Sequence, residues 1–206
     1  MAQLELVHPA PLNLTDAQPR IDHDIIAQLV TDGSRVLDVG CGDGGLMRLL
    51  MKECSAKVRG LELDPAKVHR CVARGLSVVQ GDAETDLDHF PSAAFEYVIF
   101  SHALMKLRDP TAALRTAARV GERVIVSLNN AAHWSPRMRM MFNGKLARWN
   151  GETPCSIRDF AALARDMRLS VERAVPISRG HAGSPFAKTL WRANWFAEQA
   201  VFVLVP

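Results

Sequence analysis

Apolar residues along this 206-residue chain recur in two rhythms that take turns, one helical and one of short uninterrupted runs. After a polar, proline-containing start that predicts an irregular segment over residues 1–19, Ile21, Ile25 and Leu29, with Ile26 alongside, follow a helical period over 21–30. Such a helix would cover the edge of a sheet. Arg35 to Val39 then reads as a buried strand, and Leu46, Leu49 and Leu50 fall at the i, i+3, i+4 spacing of an amphipathic helix. A second strand over Lys57 to Leu63 runs into Asp64-Pro65, where an N-cap aspartate and a proline in the first turn open a helix to Arg74. Gly75 stops it.

The same alternation continues. Ser77 to Gln80 and Tyr97 to Ser101 read as strands, Asp109-Pro110 opens a helix to Val120, and Arg123 to Leu128 is a fifth strand. Strands separated by helices at this spacing predict a parallel, doubly wound α/β sheet with right-handed crossovers. Beyond Asn129 the rhythm loosens: a helix over Pro136 to Phe142, a helix opened by Ser156 with Asp159 in the capping-box position, and strands over Leu169 to Val175 and Gln199 to Leu204. The link before the last strand holds Gly180, Gly183 and Pro185; at about twenty residues it is long for a compact domain and predicts function or mobility. Neither a repeat nor a second domain is indicated, so a single domain over 1–206 is expected.

Composition changes this picture little. Hydrophobic residues make up 48% and charged residues 23%, enough for a packed core. The net charge of +3 is small and its basic residues are dispersed, which argues against nucleic acid as a partner. Apolar runs fall short of a membrane span and no basic-then-apolar leader opens the chain, so a cytoplasmic location away from membranes is expected. Cys41, Cys54, Cys71 and Cys155 lie far apart without metal-ligand spacing, and read as free thiols with no metal site.

Candidate chemistry concentrates after the first strand. Gly40, Gly42 and Gly45 fit the G-x-G-x-x-G of dinucleotide enzymes, while Asp38, Gly40, Gly42 and Gly44 fit the acidic-x-G-x-G-x-G of S-adenosylmethionine (SAM) binders. Glycines at these positions permit a sharp turn and close approach of a ligand to the main chain. A dinucleotide brings a pyrophosphate, which a helix N-terminus favours. SAM brings an ammonium and a sulfonium, which suit the acidic Asp38; a plain turn cap is the alternative role for that residue.

Further positions bear on that choice. Glu62, twenty residues after Gly42, stands where a carboxylate would accept from two ribose hydroxyls, unless it is simply an exposed strand end, and Leu63 follows it. Gly81-Asp82 follows the third strand, where the Asp82 carboxylate and the Ala83 amide would read the donor and acceptor edge of adenine; the dipeptide is also a common turn. Ser101-His102 ends the fourth strand, where a methyl acceptor would approach. Methyl transfer mainly needs orientation, with a base required only where the acceptor sheds a proton. His102, and His133 after the fifth strand, are the candidate bases, although a single histidine is most often a bystander. Cys41 reads as a small residue in the cofactor turn, and Pro154-Cys155 lies outside the position of a cytosine-methylase nucleophile.

Arg35 to Gly44, Ala73 to Asp82, Arg119-Val120-Gly121, Val124 to Ser127, His133-Trp134, Ser156 to Phe160 and Phe196 to Phe202 together resemble the methionine biosynthesis protein MetW family, over about Arg20 to Val205. The resemblance implies a three-layer, Rossmann-like class I methyltransferase fold with a seven-stranded, mostly parallel sheet whose last strand is antiparallel. It implies binding of SAM or S-adenosylhomocysteine by Asp38, Gly40, Gly42, Gly44, Glu62 and Asp82; Cys41, Leu63, Ala83 and Ser101, their neighbours at the same strand ends, complete the expected cofactor-binding set. Two functions follow as expectations: methyl transfer to a small molecule, or a SAM-sensing partner role that activates a homoserine O-acyltransferase. Where family members carry Ser-Phe-Pro-Asn this chain has Ser127-Leu128-Asn129-Asn130. Its segment around Trp149 to Pro154, which would cover the pocket or meet a partner, is shorter than theirs.

Overall fold

The computed structural model describes residues 20–143, 153–183 and 190–206. The expectation of an irregular segment over 1–19, the segment at 149–152 and Pro185 lie outside these residues. Alternating strands and helices appear in the expected order. They are α1 (Ile21–Leu29), β1 (Arg35–Val39), α2 (Gly45–Glu53), β2 (Lys57–Glu62), α3 (Pro65–Ala73), β3 (Val78–Gln80), β4 (Phe95–Ser101), α4 (Pro110–Val120) and β5 (Gly121–Asn129). There follow α5 (Trp134–Asn143), α6 (Ile157–Asp166), β6 (Ser170–Ser178), β7 (His181–Ala182), α7 (Leu190–Phe196) and β8 (Gln199–Val205).

The eight strands among the described residues form one sheet in the order β3-β2-β1-β4-β5-β8-β6-β7. The first five are mutually parallel, while β8 runs antiparallel between β5 and β6. The sheet therefore has one strand more than the seven expected. The addition is β7, whose two residues pair with the end of β6 through Ile177↔Ala182 and Ser178↔His181. It forms inside the long link expected to carry function or mobility, as does α7; two residues and seven are too few for periodicity to register.

Side chains alternate across the sheet as the pleat requires. Leu37, Val39, Val98, Phe100, Val126 and Phe202 face one core with α4, α6 and α7. Val36, Tyr97, Ile99, Ile125, Val201 and Val203 face the other with α1, α2 and α3. This is the three-layer arrangement. The first helix lies on a face of the sheet rather than sealing an edge, and it turns Asp22, Ile25 and Ile26 inward, with Ile21 and Leu29 only half-buried. Helix starts obey the expected chemistry: Asp64 accepts from the Ala66 amide and Asp109 from the Ala112 amide. Ser156 and Asp159 close a complete capping box on α6. Buried Asn130 ties the loose C-terminal half together, donating to the Asn194 and Ala197 carbonyls and accepting from the Ala132 and Ile157 amides.

Candidate functional site

Winding reverses where β1 lies between β2 and β4, and ligands of open α/β sheets bind outside the carboxyl ends of the strands at such a point. A cleft of about 230 Å³ opens there. Its walls come from the ends of four strands: Gly40 after β1, Glu62 and Leu63 at β2, Asp82 and Ala83 after β3, and Ser101 and His102 at β4. The fold thus brings most of the predicted residues together, though they span sixty-odd positions of sequence. His133 is not among the lining residues; it is buried against Trp134, and burial holds its imidazole below the usual histidine range.

The glycine turn is built from within. Gly40 lies at φ +71, where a β-carbon would stand 2.8 Å from Ala103 Cβ, so no larger residue fits. Gly42 also has positive φ, yet a β-carbon there would meet nothing within 4 Å. The Gly40 and Cys41 amides donate to the Leu61 carbonyl at 2.7 and 3.3 Å, the Gly42 amide to Glu62 Oε2 at 2.8 Å and the Gly44 amide to the Cys41 carbonyl at 3.0 Å. These four amides of the turn are thereby spent inside the protein and are not offered to a ligand.

Behind the turn, Asp38 is 1% exposed and its Oδ1 has no hydrogen-bond partner. Burial pushes its carboxyl up to about 7 against the pull of Arg20, and the charges of Glu62 and Asp22 add to the rise. An unsatisfied buried oxygen is costly, and a cation supplied by a ligand would relieve it. Glu62 uses Oε1 to accept from the Asp64 amide at 3.0 Å, and Lys67 Nζ stands 3.9 Å from it. Asp82 folds its own loop: its carboxylate accepts from the Glu84 amide at 2.9 Å and its amide donates to Asp86 Oδ2 at 2.8 Å. The side chain of Cys41 is buried in the core beside Gly60, and burial drives its thiol far above the ordinary value. Cys155 is held at about 11, chiefly by burial, which suits a packed thiol and not a nucleophile.

The model of the family described as methionine biosynthesis protein MetW matches residues 20–204. The chain belongs to the MetW family. A bifunctional methionine biosynthesis protein MetXA/MetW from Rhodopirellula baltica is 27% identical over 154 residues, covering 70% of this chain and 24% of that protein. A ubiquinone biosynthesis O-methyltransferase from Xanthomonas oryzae is 38% identical over 106 residues, 49% of this chain and 44% of the relative. The chain thus spans less than half the length of either relative. Among solved structures, a SAM-dependent methyltransferase from Thermotoga maritima superposes with a TM-score of 0.68 at 16% identity, over 89% of this chain and 87% of that one. One from Mesorhizobium loti gives 0.66 at 14% identity, over 91% and 98%. The MetW-family chain therefore has the fold of SAM-dependent methyltransferases. No helix among its described residues is long and apolar enough to cross a membrane.

Next to the cleft of this MetW-family chain is a buried carboxylate that its sequence does not announce. Asp22, 2% exposed at the start of α1, accepts from Arg20 Nη2 at 2.7 Å and from the Ser101 and Ser127 hydroxyls at 3.0 Å each. Burial pushes its carboxyl up, but Arg20, with His102 and His23 behind it, outweighs that and holds it below the usual range. His102 Nε2 stands 3.5 Å from the same oxygen. The His102 backbone has φ 51, a left-handed conformation that costs a residue with a β-carbon about 1 kcal/mol, and its amide is held by the Ser127 carbonyl and hydroxyl. A larger groove of about 930 Å³ lies elsewhere, beside α6 and β6, and contains none of the predicted cofactor residues.

Proposed function

We propose that this chain binds SAM in the cleft at the ends of β1, β2, β3 and β4 and passes its methyl group to a small molecule. The observation that carries the reading is Asp38: a buried carboxylate oxygen without a partner, one residue behind a glycine turn in which the Gly40, Cys41, Gly42 and Gly44 amides are already occupied. That combination suits a ligand presenting an ammonium better than one presenting a phosphate. Asp38 would face the ammonium, Glu62 the ribose hydroxyls, and Asp82 with Ala83 the adenine, while the exposed side chain of Leu63 covers an apolar side of the cleft. When bound, SAM supplies an electrophilic methyl group on a sulfonium; the protein's part is to hold donor and acceptor in line and keep water out. The O-methyltransferase relative supports transfer to a small acceptor.

The test is thermal. SAM and S-adenosylhomocysteine at a hundred times their Kd should each stabilise the protein by about 2.7 kcal/mol, a rise of about 5–10 °C for a chain of this size. A rise with NAD and none with either SAM compound would sink the proposal.

A second reading has one specific support, the relative in which MetXA and MetW occur in a single chain. There the cleft would sense SAM and the protein would act by contact with a homoserine O-acyltransferase. Mixing the two proteins at micromolar concentration decides this: a stable complex supports it, and two independent species discard it.

A further inference from the structure

Asp22 gathers more donors than a helix start requires. Arg20 offers two guanidinium nitrogens, at 3.1 Å to Oδ1 and 2.7 Å to Oδ2, and the hydroxyls of Ser101 and Ser127 reach Oδ2 from the ends of β4 and β5. These contacts fix the buried carboxylate beside Ser101, a residue of the cleft wall, on the sheet face that also holds Asp38. Onto the same oxygen closes His102 Nε2 at 3.5 Å. The His102 ring is 12% exposed and lines the cleft beside Ser101 and Ala103. Its left-handed backbone is retained by two contacts from Ser127, the residue that also braces Asp22. Strain of this kind persists where the surroundings over-determine it, as the two Ser127 contacts to the His102 amide do here.

We propose that His102 is the general base of this site, that Asp22 is its positioning residue, and that the methyl acceptor is a hydroxyl group of a small molecule. This rests on the SAM reading above and specifies its substrate. An amine in its neutral form already carries a nucleophilic lone pair, and a carboxylic acid is ionised at neutral pH. A hydroxyl must shed its proton as it reacts, and a neutral imidazole backed by a carboxylate is suited to take it. In the step, a bond forms between the acceptor oxygen and the methyl carbon. The bond from that carbon to sulfur breaks, its electron pair returning to sulfur, and the hydroxyl proton passes to His102. Asp22 then faces an imidazolium, with Arg20 and His23 close by and Glu62, Lys67, Asp82 and Lys106 among the other charged groups that line the cleft.

The experiment uses the full chain with SAM tritiated in its methyl group and a protein-free small-molecule extract of the source cells. Calorimetry reports SAM binding separately. His102→Asn removes the base while keeping a residue that tolerates the left-handed backbone, and Asp22→Asn removes the orienting charge. The expected result is label in an alkali-stable product that cation exchanger does not retain. H102N should lower turnover at least a hundredfold while leaving the SAM Kd within threefold, and D22N should lower turnover about tenfold. Turnover by H102N within threefold of the unsubstituted protein overturns the inference, as does label in an ester or an amine. Normal SAM binding with no labelled product overturns it too but leaves the cofactor reading standing. Failure of SAM to bind at all overturns both. Should D22N not fold, H102N alone decides.

Discussion

The carboxylate of Glu62 and the amide of Gly42 meet at 2.8 Å, fastening the tip of β2 to the turn that follows β1. The other Glu62 oxygen accepts from the Asp64 amide, so one side chain braces both the cofactor turn and the start of α3. Each carboxylate oxygen keeps a further lone pair, which leaves Glu62 able to accept from a ligand hydroxyl without releasing the turn. On the SAM reading, shape and recognition would therefore be coupled in a single residue.

Asp38 makes the protein respond to pH in two opposed ways. Its folded-state value of about 7 lies above the ordinary 3.8, so between those values the folded form holds a proton that the unfolded form has lost. Stability from this group is present below about pH 4 and is lost as pH rises towards 7. Ligand binding runs the other way, because an ammonium prefers the ionised carboxylate, and SAM affinity should fall up to about tenfold for each pH unit below 7. Asp38→Asn should remove both trends. At pH 8 it should stabilise the ligand-free protein by at least about 1.4 kcal/mol, the equivalent of one pKa unit, and weaken SAM. Denaturant melts and calorimetry at pH 5.5 and 8 measure the pair; parallel pH curves for the two proteins would contradict it.

Gly33 and Gly42 offer a matched comparison. Both have positive φ, and a β-carbon at either would meet nothing within 4 Å. Alanine at each should cost about 1 kcal/mol of stability from backbone strain alone. Only Gly42→Ala should also lower SAM affinity, because its open space belongs to the cofactor turn. Equal affinities for the two variants would show that the space beside Gly42 is not used by the ligand.

The capping box of α6 gives a purely structural expectation. Ser156→Ala should destabilise the fold by about 1 kcal/mol through loss of the bond to the Asp159 amide. The SAM Kd should stay the same, since α6 lies on the opposite face of the sheet from Asp38. A change in affinity would mean that α6 communicates with the cleft.

What could be read from the sequence follows how local each feature is. Asp38 and the glycines sit within seven residues of one strand-turn-helix unit, and Asp64-Pro65 and Asp109-Pro110 announce their helices by neighbours alone. Asp22 gave no such sign. On a helical wheel it is an ordinary first-turn carboxylate, and its hydroxyl partners Ser101 and Ser127 are 79 and 105 residues away. The buried stripe of α1 likewise moved from the Ile21, Ile25, Leu29 line to Asp22, Ile25 and Ile26, because a charged residue satisfied from afar can occupy a core position that patterning reserves for carbon. His102 and His133 looked equivalent in sequence, and only the sheet distinguishes them: one ends β4 inside the cleft, the other packs on Trp134.

The placement of β8 between β5 and β6 also sets an order of assembly. Ribosomes deliver β6 before β8, yet β6 joins the rest of the sheet through β8. Residues 170–178 must therefore wait, without their main partner, until residues 199–205 have emerged. A nascent chain arrested in that interval would present the unpaired flank of β5, with Ile125 and Val126, to the chaperones that meet newly made proteins.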